Sequence, residues 1–301
     1  MSNITNPHDK FFKESFSRLE VVQSFIETAF PVTMKEKINL NSLQLTNASF
    51  TDSVLTENFA DLVYRGEYAG RNAMITLLFE HKSYPQEFPH WQLLRYMTNV
   101  WRSEQKQDQK PTVVIPIIIY HGETAWKKMP FKSYFDNPPE ELLLFLPEFD
   151  YLLFSLNDWQ DYQIADFKNT FFSLATMLLK HSRDEKELFL SLESFWIEKL
   201  KALDEAQEND YIRSVFLYME NSQHLTTNDI IIIFAKVSTN VTNIAMTALE
   251  RTKLEVSENV TFNFVKGLFE DNVDKALISK YVQLPLQKVE EIIQKIKGSS
   301  H

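Results

Sequence analysis

Residues 72–83 read Asn-Ala-Met-Ile-Thr-Leu-Leu-Phe-Glu-His-Lys-Ser, and the fold turns on them. Met74–Phe79 is almost wholly apolar, as expected of a strand covered on both faces. The run stops on Glu80, so a charge sits at the mouth of a core, where it needs a partner. Side chains alternate along a strand, which gives Glu80 and Lys82 one face and His81 the other. Upstream, Phe59–Tyr68 reads as a second strand, joined to Asn72–Glu80 by Ala69-Gly70-Arg71, a short hairpin loop containing Gly. A hairpin paired near Gly70 sets Asp61 across from the Glu80 end.

Working outward, Ser42–Ser49 alternates loosely and is expected to be a third strand. Residues 90–104 are expected to be a helix, with Trp91, Leu94, Met97 or Thr98, and Trp101 on its apolar face and Gln92, Arg95, Asn99 and Arg102 on its polar face. Val113–Tyr120 is another buried strand, ending in Tyr120-His121-Gly122. Near the start, Asn6-Pro7 fits an N-cap with proline at the first helical position, and Asp9 lies in the first turn. Phe12, Phe16, Leu19, Val22, Ile26 and Phe30 then form one apolar stripe, which Pro31 closes. The order is helix, three strands, helix, strand, which favours an α/β or α+β sheet domain.

Residues 131–160 are expected to be a Pro-rich connection, with helices beyond: 167–180, 184–205, 209–220 and 228–236, of which Ile230–Phe234 also suits a short strand. Asp274–Lys297 suggests two short helices around Leu284-Pro285. The domain boundary falls near 150, giving units 1–150 and 151–301. Charge follows the same division. The first 130 residues carry 14 basic and 14 acidic side chains; residues 131–301 carry 17 and 27, so all of the net −10 lies there. That acidic half suits packing, regulation or homo-oligomer formation better than holding a polyanion.

Several classes are excluded. There is no cysteine, hence no disulfide, thiolate zinc site or cysteine nucleophile, which fits a reducing, cytoplasmic setting. Five glycines cannot assemble a Walker or dinucleotide loop. No apolar run approaches a membrane span, and residues 1–12 lack a secretory pattern, so no membrane partner is expected.

Asp61, Glu80 and Lys82 are the constellation that points to chemistry. Two carboxylates brought face to face repel, and a divalent cation relieves the repulsion. Mg²⁺ prefers oxygen ligands and keeps waters that can be deprotonated, with Mn²⁺ as a substitute. The backbone carbonyl of His81 adds a further ligand. Lys82 beside the site can orient water, act as a base or offset charge in the transition state. The expected reaction is phosphodiester hydrolysis. A same-face Glu80–Lys82 ion pair at a strand end is the plainer reading.

Five pieces occur in order over about residues 6–125: Asn6-Pro7-His8-Asp9-Lys10-Phe11-Phe12-Lys13, Ala60-Asp61-Leu62-Val63-Tyr64-Arg65, Glu80-His81-Lys82-Ser83, Leu93-Leu94-Arg95-Tyr96-Met97 and Ile119-Tyr120-His121-Gly122. With them the chain resembles the Rpn family of recombination-promoting nucleases, also described as YhgA-like transposases, within the PD-(D/E)xK nuclease superfamily. The resemblance implies a restriction-endonuclease-like α/β core followed by a mainly helical region that often ends in a small helical motif, which Leu277–Ile296 looks like. It also implies Mg²⁺-dependent DNA endonuclease activity, with Asp61 and Glu80 as metal ligands and Lys82 at the catalytic position. The family usually has Gln there; Lys82 restores the superfamily's Glu-x-Lys.

Four further residues are candidate supporting groups. His8 and Asp9 either approach the metal or cap the first helix. Gln92 and Arg95 either contact the DNA backbone or lie on a solvated face. The histidines match no zinc spacing. The rival to a DNA endonuclease is a binding or regulatory protein on a silenced nuclease fold.

Overall fold

The computed structural model describes residues 6–46, 62–70, 73–222, 225–270 and 273–298. Among them, five strands form one sheet in the order β1 (Gln44–Leu45), β2 (Leu62–Tyr68), β3 (Ala73–Lys82), β4 (Val113–Tyr120) and β5 (Leu152–Ser155). The β1–β2 and β2–β3 pairs are antiparallel, and β3–β4 and β4–β5 are parallel. The helices are α1 (Pro7–Phe16), α2 (Leu19–Ala29), α3 (Val32–Lys35), α4 (Pro89–Lys106), α5 (Asp161–Ala165), α6 (Thr170–Lys180), α7 (Lys186–Ser191), α8 (Glu193–Glu205), α9 (Asn209–Ser222), α10 (Thr227–Ala235), α11 (Thr239–Glu270), α12 (Lys275–Val282) and α13 (Leu286–Gly298). The chain is a mixed α/β protein with a mainly helical C-terminal region, as the sequence implied.

The hairpin turn explains the β2–β3 register. Ala69 (φ 51°) and Gly70 (φ 69°) are both left-handed, which turns the chain as it leaves β2, and four residues, 69–72, separate the paired Tyr68 and Ala73. Pairing then runs from Tyr68↔Ala73 to Leu62↔Phe79. Alternation sorts β3 between two layers. Ile75, Leu77 and Phe79 pack with Phe12, Phe16, Phe25 and Phe172 on one face. The other face carries Val63, Val114, Ile118 and Tyr120 beneath Leu93, Tyr96, Met97 and Val100 of α4.

Three expectations needed correction. The single helix expected up to Pro31 is two: Arg18 is extended (ψ 121°), because its guanidinium lies over Phe171 (4.3 Å) and Tyr211 (4.9 Å) and bonds Glu208 (3.2 Å). Those contacts override the helical periodicity. On α4 the buried stripe is Leu93, Tyr96, Met97 and Val100, and Trp91 is 48% exposed. The Pro-rich connection conceals β5, whereas the helix expected over 228–236 is present as α10 and takes in Ile230–Phe234. Position 150 lies two residues before β5, and one apolar cluster draws residues from both sides of it, from Phe11 to Ala248. The tail does form two helices, α12 and α13, which enclose a small core of their own with Val265 of α11: Ile278, Val289, Ile293 and Ile296. Of the described helices, none is long and apolar enough to cross a membrane.

α4 is fixed at both ends. Near its C-terminus the buried Glu104 accepts from Thr112 N (2.8 Å) and Thr112 Oγ1 (2.7 Å) and pairs with Arg65 of β2. At its N-terminal end it reaches the last residues of β3.

Candidate active site

β3 and β4 end side by side. His121 N donates to Lys82 O (3.1 Å), and Arg183, between α6 and α7, donates from Nη2 to Ser83 O (2.8 Å). Gly122 is required at the end of β4, because a Cβ there would stand 2.5 Å from Ser83 O and collide with the Tyr120 ring. Past this junction opens a cleft of about 250 Å³ lined by Asn6, His8, Asp9, Glu80, His81, Lys82, Ser83 and Tyr84.

Glu80 is 5% exposed and faces α4. Its Oε1 accepts from Lys82 Nζ (2.8 Å) and from Gln92 Nε2 (2.7 Å), and Gln92 also donates to the Tyr96 hydroxyl. The carboxylate is therefore aimed by a same-strand ammonium and a helix amide, both charge-assisted contacts. Burial, with the negative Glu80 nearby, raises the Tyr96 phenol above its ordinary value, so it stays protonated.

His81 points to the opposite face, as alternation requires. Its Nδ1 lies 3.1 Å from Asp9 Oδ1, and its ring stacks between Phe12 (4.9 Å) and His121 (4.7 Å). The hydrogen bond to His81 lowers the Asp9 pKa below its usual value. His8 packs on His121 (4.9 Å) and meets the Tyr218 hydroxyl of α9 (3.0 Å). Burial, then the neighbouring His81, lowers His8 to about 4, and burial lowers His121 to about 2. Successive carbonyls along a strand turn to opposite sides. Lys82 O faces β4, so the His81 carbonyl faces the β2 side.

Glu80, Lys82, His81, Gln92, His8 and Asp9 thus gather at the end of β3. Arg95 does not line the cleft; it is exposed on α4, its guanidinium 5.4 Å from the Tyr96 ring, and it reaches the site only through a hydrogen bond to the Tyr96 phenol. Asp61 lies outside the described residues. Among the described residues no group of three or more His, Cys, Asp or Glu is disposed to hold a metal. Sequence reasoning passed over Tyr96, although its four-residue step from Gln92 puts both on one helix face. It also passed over Arg183, which no local spacing signals.

The model of the family described as "Putative transposase, YhgA-like" matches residues 6–210. The chain belongs to this family. Among its relatives, the recombination-promoting nuclease RpnC of Escherichia coli (strain K12) is 30% identical over 122 residues, 40% of this chain and 41% of RpnC. The inactive recombination-promoting nuclease-like protein RpnE of the same organism is 27% identical over 188 residues, 61% of each chain. Its recombination-promoting nuclease RpnA is 22% identical over 286 residues, 93% of this chain and 94% of RpnA. The matched stretch spans two fifths of RpnC and three fifths of RpnE. No solved structure matches. All of the cleft's lining residues lie within the family match.

Proposed function

We propose that the chain is a DNA endonuclease that hydrolyses phosphodiester bonds with Mg²⁺ at the end of β3. The observation that carries this reading is the buried Glu80 carboxylate in a polar cleft, 2.8 Å from the Lys82 ammonium. The donors present suit a hard cation: carboxylates and a strand carbonyl, and no thiol in the chain. Glu80 and the His81 carbonyl would hold it, with Asp61, the chain neighbour of Leu62, as the second acid; Leu62 pairs with Phe79 beside Glu80. When bound, the ion supplies Lewis-acid polarisation of the phosphate and a water of lowered pKa.

The chain's own residues do the rest. Gln92 and Tyr96 fix the orientation of Glu80. Lys82 presents a positive charge where the phosphoryl oxygens gain negative charge. In the reaction, water oxygen bonds to phosphorus, the opposite P–O ester bond breaks, and the leaving oxygen takes up a proton. The names of RpnC and RpnA support this reading. The rival, a silenced nuclease fold, is favoured by one observation: Glu80 Oε1 is already engaged by both Lys82 and Gln92.

Plasmid DNA with Mg²⁺ separates the two. The wild-type chain is expected to nick it, and Asp61→Asn, Glu80→Gln and Lys82→Ala each to lower the rate at least ~100-fold, on the scale of losing a transition-state contact. Retained cutting by Glu80→Gln defeats the assignment. An uncut plasmid, with no Mg²⁺ or Mn²⁺ uptake by calorimetry, selects the silenced fold.

A further inference from the structure

The outer face of α4 is a second feature beside the cleft. Trp91, Arg95, Thr98, Arg102, Gln105 and Lys106 recur at steps of three and four and fall in one stripe about 100° wide. All are exposed except the half-buried Thr98. The stripe contains no acid. Glu104, the only acid of α4, is buried on the far side against Thr112 and Arg65. Among the described residues no carboxylate comes within ion-pair distance of Arg95, Arg102 or Lys106. In a chain of net charge −10, an anion-free run of three cations is a local reversal of sign.

Its position gives the reversal a use. The stripe begins on the same turn of α4 as Gln92, which holds Glu80. At 1.5 Å per residue, Arg95 to Lys106 covers about 16 Å, the axial length of about five phosphates of one DNA strand. A polyanion laid along this face meets cations at its surface and the cleft at its end.

We propose that Arg95, Arg102 and Lys106 form a phosphate-tracking stripe, along which DNA lies as it is led to Glu80. The proposal rests on the nuclease reading and adds the surface that reading lacks. The contacts are to phosphate, so they position the strand without reading its sequence.

The test compares the full-length chain with Arg95→Gln/Arg102→Gln/Lys106→Gln and with a control, Lys201→Gln/Lys275→Gln/Lys288→Gln, on α8, α12 and α13. Binding of a fluorescein-labelled DNA duplex is followed by anisotropy over a salt series in chelating buffer. The stripe variant is expected to lower the slope of log affinity against log salt by about 2 to 3, and to bind more than ~10-fold more weakly at moderate salt. The control is expected to match wild type. In Mg²⁺-dependent plasmid cutting the stripe variant should raise KM and keep kcat within about twofold. An unchanged melting temperature confirms its fold, and Arg102→Gln alone repeats the test with one charge, a slope change of about 1. A stripe variant with the wild-type slope and affinity overturns the proposal and leaves the nuclease reading intact if wild type cuts. Stripe-dependent binding without cutting by wild type keeps the stripe and removes the nuclease. A wild-type chain that neither binds nor cuts removes both.

Discussion

Gln92 is the side chain of α4 that grips the buried carboxylate of the cleft. It is uncharged, so it holds Glu80 Oε1 (2.7 Å) without adding a charge to the site. Alanine there removes the amide hydrogen bond to that oxygen while leaving Lys82 in place. On the proposed nuclease reading, Gln92→Ala is expected to lower plasmid nicking about 10- to 100-fold, the usual cost of losing an outer support of a metal ligand. Thermal stability should stay close to wild type, because Gln92 is only half-buried. Steady-state rates at saturating DNA and metal check this, and an unchanged kcat would show that Glu80 needs no such support.

At the scale of elements, α4 is the device that places Gln92, and its far end is held by a buried carboxylate. Glu104 is 1% exposed and accepts from Thr112 and Arg65, tying helix, strand entry and hairpin together. Truncating it leaves the Thr112 groups and the Arg65 guanidinium short of an acceptor. Glu104→Ala is therefore expected to cost about 3 kcal/mol, read as a lower urea midpoint at unchanged m-value. A loss below ~1 kcal/mol would mean that water replaces the carboxylate.

Elements were also where sequence reading succeeded and failed. β3, β4 and the hairpin turn were legible because alternation, an apolar run and a left-handed Gly are local signals. The α1–α2 break was not, because its cause, Arg18 against Phe171 and Tyr211, is some 150 to 190 residues away in sequence. The face of α4 was misread because Trp91 resembles a core residue by composition, while β4 and Tyr151 cover a stripe rotated from it. In the site, Glu80 and Lys82 were legible from period two. The partners of His81 and His121 were not, since beyond each other they come from α1, α6 and the turn after α6, far off in sequence.

For the whole molecule, the place where the sheet, α1, α6 and α9 converge is held by uncharged imidazoles. His8 and His121 have native values of about 4 and about 2 against 6.5 in the unfolded chain. Between those limits the unfolded chain binds more protons, so stability rises with pH and is lost as pH falls below 6.5. For His121 the loss approaches ~2 kcal/mol by pH 5. Asp9 acts in the opposite range: its lowered pKa contributes stability above the ordinary carboxylate value, lost only as pH drops through the native one. Urea unfolding at pH 7 and pH 5 should show a clear drop at the lower pH. Equal midpoints would place the two rings in contact with solvent.

β3 sends consecutive side chains into separate layers, Glu80 toward α4 and His81 toward α1. Adjacent letters of the gene thus answer to different neighbourhoods. Changes in α1 would retune one wall of the cleft while the opposite wall keeps its settings, so variation could explore the two walls independently.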